Sequence, residues 1–392
     1  MPIPDAISAL PRRAAELQDL LIRWCNQNSG SGNATGLAAM LRLLQAEFGR
    51  LGPADAVALD PGPGQALRVR VRPAAPLQVF LSGHYDTVYD AGHPFQTCTL
   101  LSPERLRGPG TSDMKGGLVV MLAALQAFEK TPHAARLGYD ILIGPDEETG
   151  SQGTAPLLEE AAKRHRLGLV FEPARANGDL VRSRKGTGIF TLTCHGRAAH
   201  AGRAPEAGRN AILALCDILP KADALTRELP GVMVNVGAIT GGGAANIVPD
   251  RAEAVINARV TRLGDDALFL KRLHDLCAPW HGRDGYRIEI GGGFNRGPKV
   301  ENPAETALFG EWRKGAREFD LELDWQHVGG GSDGNILSAA GLPNLDGLGC
   351  VGDNLHSPEE YCHLPSLTQR AQVAALFLHR VAAGEIGLPA SA

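Results

Sequence analysis

The stretch Tyr139-Asp140-Ile141-Leu142-Ile143-Gly144-Pro145-Asp146-Glu147-Glu148-Thr149-Gly150 is an apolar strand that runs directly into three carboxylates and a turn. In an open α/β sheet, ligands bind beyond the carboxyl ends of the strands, so these acids lie where a functional site is expected. Adjacent residues that leave a strand point in different directions. We therefore expect different roles for Glu147 and Glu148, one holding a metal ion and the other acting on a water. Taken alone, such an acid cluster is more often a solvated turn.

Length and composition are those of an ordinary globular protein. The chain has 392 residues, more than one hydrophobic core usually supports, so we expect two domains, one of them inserted in the other. The formal charge of −4 comes without a block of like charges, which argues against nucleic acid or an anionic membrane as a partner. The first residues lack the pattern of a secretory signal, and no apolar stretch is long enough to span a bilayer. We expect a cytoplasmic protein.

The cysteines give no sign of a disulfide framework. The seven residues are dispersed, odd in number and never arranged as Cys-x-x-Cys, which also argues against a thiolate zinc site. We expect reduced thiols, most of them buried.

Strands and helices alternate through the first part of the chain. Strand-like runs at 77–81, 139–143 and 167–171 each end in polar residues, and the apolar run 118–128 predicts a helix packed on the sheet. This alternation is typical of a largely parallel sheet that is covered by helices on both faces. The predicted fold class is therefore α/β, with a mostly parallel sheet flanked by helices.

From about Lys185 the pattern changes to strands with two interspersed helices and no metal-capable strand ends. A small α+β domain of about a hundred residues fits this segment. After Gly297-Pro298 the first pattern resumes. We predict a catalytic domain formed by residues 1–184 and 298–392, interrupted by an inserted lid or dimerisation domain at residues 185–297.

Six residues near predicted strand ends carry metal-capable side chains: His84, Asp86, Asp113, Glu148, Glu172 and His356. Imidazole and carboxylate without thiolate suit a catalytic zinc site that keeps positions open for water and substrate. One carboxylate shared by two ions, with one His and one Glu for each, would build a two-metal site with an ion separation of about 3.5–4 Å. Asp86, two residues after His84, is placed to accept a ring N–H of His84 and fix its tautomer.

Each of these residues also has an ordinary interpretation. His84 and His356 could be polar residues with satisfied hydrogen bonds, Asp113 a helix cap, and Glu172 a turn residue before Pro173. Their joint occurrence at strand ends favours the metal site.

The ordered motifs of this chain closely resemble those of the zinc aminoacylase and carboxypeptidase family. The resemblance is carried by Ser82-Gly83-His84-Tyr85-Asp86-Thr87-Val88, Thr111-Ser112-Asp113-Met114-Lys115-Gly116-Gly117, Asp146-Glu147-Glu148-Thr149-Gly150-Ser151, Phe171-Glu172-Pro173, Gly196-Arg197-Ala198-Ala199-His200-Ala201-Gly202, Asn246-Ile247-Val248-Pro249, Gly329-Gly330-Gly331-Ser332-Asp333 and His356-Ser357-Pro358-Glu359-Glu360-Tyr361. The set covers nearly the whole chain and is most similar to the carboxypeptidase G branch of glutamate carboxypeptidases. Acetylornithine deacetylase and succinyl-diaminopimelate desuccinylase are related members.

For the metal site, the resemblance implies a role for each candidate residue. Asp113 would bridge the two ions, and Glu147 matches the general base. The remaining ligands divide into two pairs, one on each ion: His84 with Glu172, and Glu148 with His356. The Asp113-Met114 peptide is expected to be cis, as in relatives.

For the substrate, the resemblance points to four further residues. His200 matches a residue that polarises the scissile carbonyl, reaching across from the partner subunit in family dimers. Asn246, Arg259 and Gly331 match positions that hold the substrate, and Arg259 is suited to bind a carboxylate through two parallel hydrogen bonds. Without the resemblance, His200 could be a surface loop residue, Asn246 a turn former and Arg259 a strand-edge charge.

We therefore expect a dinuclear zinc metallopeptidase that cleaves an amide or peptide bond next to a free carboxylate, releasing a carboxy-terminal amino acid such as glutamate through a water held between two Zn²⁺ ions. Co²⁺ or Mn²⁺ would fit the same ligands. The expected partners are a small peptide or N-acyl amino acid and a second copy of the chain, bound through the inserted domain. Two alternatives stay open: a deacylase of the acetylornithine deacetylase or desuccinylase type, and a non-catalytic metal-binding dimeric scaffold. A scaffold would gain nothing from Glu147.

Overall fold

The computed structural model describes residues 2–390, which form two compact units. The first unit comprises the chain up to Ser183, Glu301–Val328 and the chain from Ser332 onward. The second unit comprises Arg184–Val300 together with the short segment Gly329–Gly331. The inserted domain predicted at residues 185–297 does not include Gly329–Gly331. This segment is distant in sequence, and only contacts in the folded structure group it with the second unit.

Helices and strands alternate along most of the chain. The helices are α1 Asp5–Ser8, α2 Ala14–Cys25, α3 Ala34–Phe48, α4 Lys115–Phe128, α5 Ala155–Ala162, α6 Ala211–Glu228, α7 Asp265–Cys277, α8 Pro303–Arg317, α9 Asp333–Ala339 and α10 Pro365–Ala383. The strands are β1 Ala54–Ala58, β2 Gln65–Val71, β3 Leu77–His84, β4 Thr99–Ser102, β5 Arg105–Arg107, β6 Leu137–Gly144, β7 Gly168–Val170, β8 Leu180–Arg184, β9 Gly186–His195, β10 Val232–Gly241, β11 Arg251–Val260, β12 Arg287–Arg296, β13 Trp325–Val328, β14 Asn344–Asp346, β15 Gly352–Asp353 and β16 Tyr361–His363.

The first unit is built on an eight-stranded sheet in the order β1-β2-β6-β3-β7-β14-β8-β13. Its central strands β6, β3, β7 and β14 are parallel, whereas the pairs β1–β2, β2–β6 and β14–β8 are antiparallel. The predicted α/β class, with helices on a mostly parallel sheet, is confirmed. The register matters for function, because His84 lies opposite Gly144 and Ser82 lies opposite Val170. The carboxyl ends of β3, β6 and β7 therefore meet at one edge.

Helices α4 and α10 form the centre of the first unit's main hydrophobic core. Nearly every residue of α4 is buried, and so is most of α10. Both helices pack inside the unit, since α4 is apolar on nearly all sides and α10 contributes a long row of buried apolar residues, and α2, α3 and α8 add Trp24, Phe48 and Trp312. This packing fixes the start of α4, which directly follows Asp113.

The second unit is a four-stranded antiparallel sheet in the order β10-β11-β9-β12, packed against α6 and α7. Alternate residues of β11 are buried, as expected for a sheet with one covered face. Helix α6 continues through Pro220 to Glu228. Packing of Ala222 and Leu225 in the core of this unit maintains the helix beyond the proline.

Two features of the first unit were not predicted. Strands β15, β16, β5 and β4 form a small antiparallel sheet, and Ser332 begins the short helix α9 with a capping box that involves Asn335. The small strands have two to four residues each, too few for a hydrophobic pattern to be visible in sequence.

The cysteines and the helix lengths agree with two simpler expectations. All seven cysteines are free, and five of them are buried, as predicted. Within residues 2–390, no helix is both long enough and apolar enough to cross a membrane.

A glycine allows α4 to approach the end of β7. A Cβ atom at Gly117 would lie 1.9 Å from the carbonyl oxygen of Phe171, the residue before Glu172. Gly117→Ala should therefore destabilise the protein by about 1–3 kcal/mol, measured as a lower thermal unfolding midpoint.

Gly310→Ala is the matched control, because Gly310 also lies inside a helix but has open space around its Cβ position. It should leave stability unchanged or raise it by about 0.5–1 kcal/mol. Equal midpoints for the two variants would contradict the close approach of α4 to β7.

Candidate metal centre

The parallel strands deliver the candidate residues to one edge of the large sheet. His84 is the last residue of β3, the turn Glu147–Thr149 begins three residues after β6, and Glu172 lies two residues after β7. Asp113 lies immediately before Met114, the N-cap residue of α4, and the Asp113-Met114 peptide is cis, as the resemblance implies. Sequence-distant segments therefore meet at this edge.

The structure brings the five predicted ligands together in two overlapping groups. In the first group, His84 Nε2 lies 3.1 Å from Asp113 Oδ1 and 3.7 Å from Glu172 Oε1. In the second group, His356 Nε2 lies 3.4 Å from Asp113 Oδ2 and 3.1 Å from Glu148 Oε2. Each group has potential ligand atoms within 4.8 Å of one another. Asp113 belongs to both groups and directs one carboxylate oxygen toward each histidine.

Asp86 contacts both His84 and the turn that carries Glu147 and Glu148. Its carboxylate lies 3.2 Å from His84 Nδ1 and accepts the backbone N–H groups of Glu147 and Glu148 at 3.1 and 3.2 Å. Ser31 Oγ donates a further hydrogen bond to Asp86 at 2.7 Å. An ionised carboxylate can accept hydrogen bonds but cannot donate them. The contact between Asp86 and His84 therefore favours a proton on Nδ1 of His84 and leaves Nε2 free to bind a metal ion. Asp86 thus orients both a histidine and the acidic turn.

The two adjacent glutamates point in different directions, as the sequence predicted. Glu148 faces His356, whereas Glu147 Oε2 lies 3.9 Å from His84 Nε2. Both side chains are almost fully buried, with 10% and 7% of their surfaces exposed for Glu147 and Glu148. Glu147 is therefore near the first group without belonging to either set of candidate ligands.

Burial of so many charges shifts their pKa values. Desolvation and the neighbouring Asp113 raise the pKa of Glu148 to about 8. Hydrogen bonds with Asp113 and Glu148 raise the pKa of His356 to about 11. Although desolvation acts in the opposite direction, hydrogen bonds with Asp113 and Asp86 raise the pKa of His84 well above its usual range. Protons on these residues balance the carboxylates.

The donor set of each group is suited to a divalent ion. Each group combines one imidazole with two carboxylates and contains no thiolate, which is the ligand chemistry of a catalytic zinc site. The ligand function of the five residues stays a prediction, but their positions are those that it requires.

The buried residue Glu360 is a functional candidate that sequence reasoning missed. Its carboxylate accepts the backbone N–H groups of Ser112 at 2.9 Å, Asp113 at 3.0 Å and Gly110 at 3.2 Å, and the Tyr89 hydroxyl at 3.0 Å. It holds the segment that carries Asp113. The sequence contained a pair of glutamates after His356, but nothing in it distinguished buried Glu360 from exposed Glu359.

The four predicted substrate residues lie in the second unit, where they form two local pairs. His200 and Asn246 are on adjacent segments, with a bridge between His200 and Ile247 and a hydrogen bond of 2.9 Å from Ala201 N–H to the Asn246 carbonyl. Arg259 Nη1 donates to the Gly329 carbonyl at 2.9 Å, so Arg259 contacts the segment that contains Gly331.

Comparison with known proteins agrees with the fold and with the type of site. The model of peptidase family M20/M25/M40 matches residues 80–380, and the chain belongs to this family. It is 26% identical over 373 residues to carboxypeptidase G2 from a Pseudomonas species, covering 93% of this chain and 89% of that protein.

Two other comparisons broaden this relationship. Succinyl-diaminopimelate desuccinylase of Shewanella piezotolerans is 27% identical over 293 residues, which cover 70% of this chain and 74% of that protein. The crystal structure of aminopeptidase PepT from Bacillus cereus superposes with a TM-score of 0.79 at 19% identity, covering 94% of this chain and 99% of that chain. This last similarity concerns the fold alone.

Metal content tests the two groups. Protein stripped of metal and then supplied with zinc should take up about two ions per chain, whereas Glu148→Gln should retain about one, because only the second group loses a charged ligand. Elemental analysis after desalting measures this ratio. Glu160→Gln, on the exposed surface of α5, should behave like the unmodified protein. Equal uptake by all three proteins would contradict the assignment of Glu148.

Zinc uptake should also depend on pH. The raised pKa values of His356 and Glu148 mean that this hydrogen-bonded pair keeps a proton at pH 7, which an ion must displace. Lowering the pH should weaken zinc binding, and binding at pH 7 should release protons, detected by calorimetry in buffers of different ionisation enthalpy. Binding without proton release would show that these side chains do not contact the ion.

Proposed function

We propose that this protein is a dinuclear zinc hydrolase that cleaves an amide or peptide bond next to a free carboxylate and releases a carboxy-terminal amino acid such as glutamate. The observation that carries the proposal is the position of Asp113 between two histidine-carboxylate groups, with Glu147 beside them. The similarity to carboxypeptidase G2 over most of both chains supports this substrate class.

The candidate ligands would hold two ions, one with His84 and Glu172 and one with Glu148 and His356, both sharing Asp113. Bound divalent ions would supply Lewis acidity and a water of lowered pKa. Zinc is the proposed metal because the donor set is imidazole and carboxylate, and cobalt or manganese would accept the same ligands.

Glu147 is the proposed general base. Asp86 holds its backbone N–H, and the buried carboxylate lies beside His84 without being part of either ligand group. A carboxylate in this position can take a proton from a water and later deliver it to the nitrogen of the leaving amine. Transfer of that proton to the amine avoids the release of an unstable amide anion.

The residues proposed to contact the substrate are His200, Asn246, Arg259 and Gly331. We assign polarisation of the scissile carbonyl to His200 and binding of the free carboxylate to Arg259. The guanidinium of Arg259 is held by the Gly329 carbonyl at 2.9 Å and by Asn257 Oδ1 at 3.3 Å. Such fixed orientation favours bidentate binding of a planar carboxylate.

The second candidate function is deacylation of an N-acyl amino acid, favoured by the similarity to succinyl-diaminopimelate desuccinylase. The two candidates differ in the preferred substrate, an N-acylglutamate for the first and an N-acylated basic amino acid for the second.

We further propose that the protein is cytoplasmic and acts as a homodimer through its second unit. Free cysteines support a reducing compartment. Several large apolar side chains of the second unit are about half exposed, which supports an association surface there: Ile189, Leu213, Met233, Ile239 and Ile247.

Removal of the charge of Glu147 tests the catalytic proposal. Glu147→Gln keeps the size of the side chain but cannot take up a proton, so turnover of an N-acylglutamate should fall by about 10²–10⁴-fold. Release of glutamate measures turnover, and zinc content should stay at the unmodified level. Near-normal turnover with full zinc content would remove Glu147 from this role.

A second variant tests carboxylate recognition. Arg259→Ala should raise KM for a substrate with a free carboxylate by at least about tenfold, because it removes a bidentate charge pair. It should have little effect on the matching amidated substrate. Arg251→Ala is the control, because Arg251 lies on the same strand and is exposed, and its contact is with Glu253. This variant should leave KM unchanged for both substrates. An equal rise in KM for the free-carboxylate and the amidated substrate would contradict the proposed role of Arg259.

A further inference from the structure

The first unit contains a cavity of about 340 Å³ that shares no residue with the candidate metal centre. Its wall includes residues from the small sheet, from the start of α10 and from the segment before β13. The residues that matter most are Arg105, Leu321, Leu323, Tyr361, His363 and Arg370. This volume lies near the lower end of the range of small-molecule sites.

Arg370 is a buried cation in the wall of this cavity. Its side chain is only 2% exposed, and Nη2 donates a hydrogen bond to the Gly178 carbonyl. Nη1 has no hydrogen-bond partner among the described residues. Burial lowers the pKa of Arg370 to about 10. Buried charged groups in proteins are normally paired with an opposite charge. This guanidinium has no hydrogen-bonded carboxylate among the described residues.

The nearest acid does not supply that counterpart. Asp179 is close enough to act electrostatically on Arg370, but its carboxylate accepts hydrogen bonds from the Asp324 N–H at 2.9 Å, from Gln326 at 2.5 Å and from Asn177 at 2.7 Å. Asp179 is thus oriented by three other donors, and the attraction between it and Arg370 acts without a direct hydrogen bond.

The other charged side chains around the cavity are more exposed than Arg370 and have neighbours of their own. The exposed guanidinium of Arg105 lies 3.8 Å from the ring centre of Tyr361, and His363 Nε2 lies 3.5 Å from exposed Glu104. The wall's acidic residue, Glu322, is 73% exposed and contacts Arg317 at 3.1 Å. Arg370 is therefore the buried charge in this wall that lacks a hydrogen-bonded counter-ion among the described residues.

Another part of the wall is apolar and includes Leu321, Leu323 and Val351. We propose that this cavity binds a small organic carboxylate, with its charged group against Arg370 and Arg105 and its apolar body against these three side chains. The planar guanidinium fork matches a carboxylate in geometry and charge, and the leucine side chains favour an attached hydrocarbon body. The site goes beyond the proposed hydrolysis and does not depend on it.

The probe for this site is 3-phenylpropionate, titrated into the full-length zinc-loaded protein by calorimetry. Saturable binding is expected, and the uncharged amide of the same acid should not bind. Arg105→Gln and Arg370→Met should each weaken binding by about tenfold or more, because each removes a charge-assisted contact. Arg105 is exposed, so its variant should fold normally and keeps the test valid if Arg370→Met is unstable.

Arg380→Met is the matched control, because Arg380 is also on α10 but forms an ion pair with Glu318 outside the cavity. It should bind the probe like the unmodified protein. Unchanged affinity in Arg105→Gln would place the binding elsewhere, for example at the zinc ions, and would overturn the proposal. Inorganic phosphate binding as tightly as the probe would equally overturn it, because the apolar body would then contribute nothing.

Discussion

The crowding of buried carboxylates around Asp113 is the constraint on which the rest of the site depends. Asp113, Glu147 and Glu172 are each less than a tenth exposed, and Glu148 faces the same space. Buried anions without counter-charges would repel one another and oppose folding. His84 and His356 supply positive charge in the absence of metal, and divalent ions would supply more. The charge balance therefore favours the binding of cations at this candidate site.

Two further carboxylates support this cluster through the backbone. Asp86 accepts N–H groups from the turn that carries Glu147 and Glu148, and Glu360 accepts N–H groups from the segment that carries Asp113. Hydrogen bonds to charged acceptors are stronger than neutral ones, so these contacts hold the functional side chains in fixed directions. Such fixed orientation is what both metal binding and proton transfer need.

Charge balance also distinguishes the candidate metal centre from the cavity beside α10. At the metal centre, anions are in excess and histidines compensate them. In the cavity beside α10, the buried guanidinium of Arg370 donates to the Gly178 carbonyl and has no hydrogen-bonded carboxylate among the described residues. One region is suited to cations and the other to an anion. The same large core positions both, because α4 begins at the first and α10 forms part of the second.

The sequence by itself determined the α/β class, the major helices and strands, and the candidate residues that the structure groups at one sheet edge, because hydrophobic period and strand-end chemistry are local patterns. Tertiary structure alone decided the register that places His84 opposite Gly144 and the association of Gly329–Gly331 with the second unit. It also decided that Glu360, and not Glu359, accepts the backbone N–H of Asp113. Glu360 and Asp113 are 247 positions apart in the sequence. These features depend on which distant segments pack together, and residue patterns within a short window carry no record of such contacts.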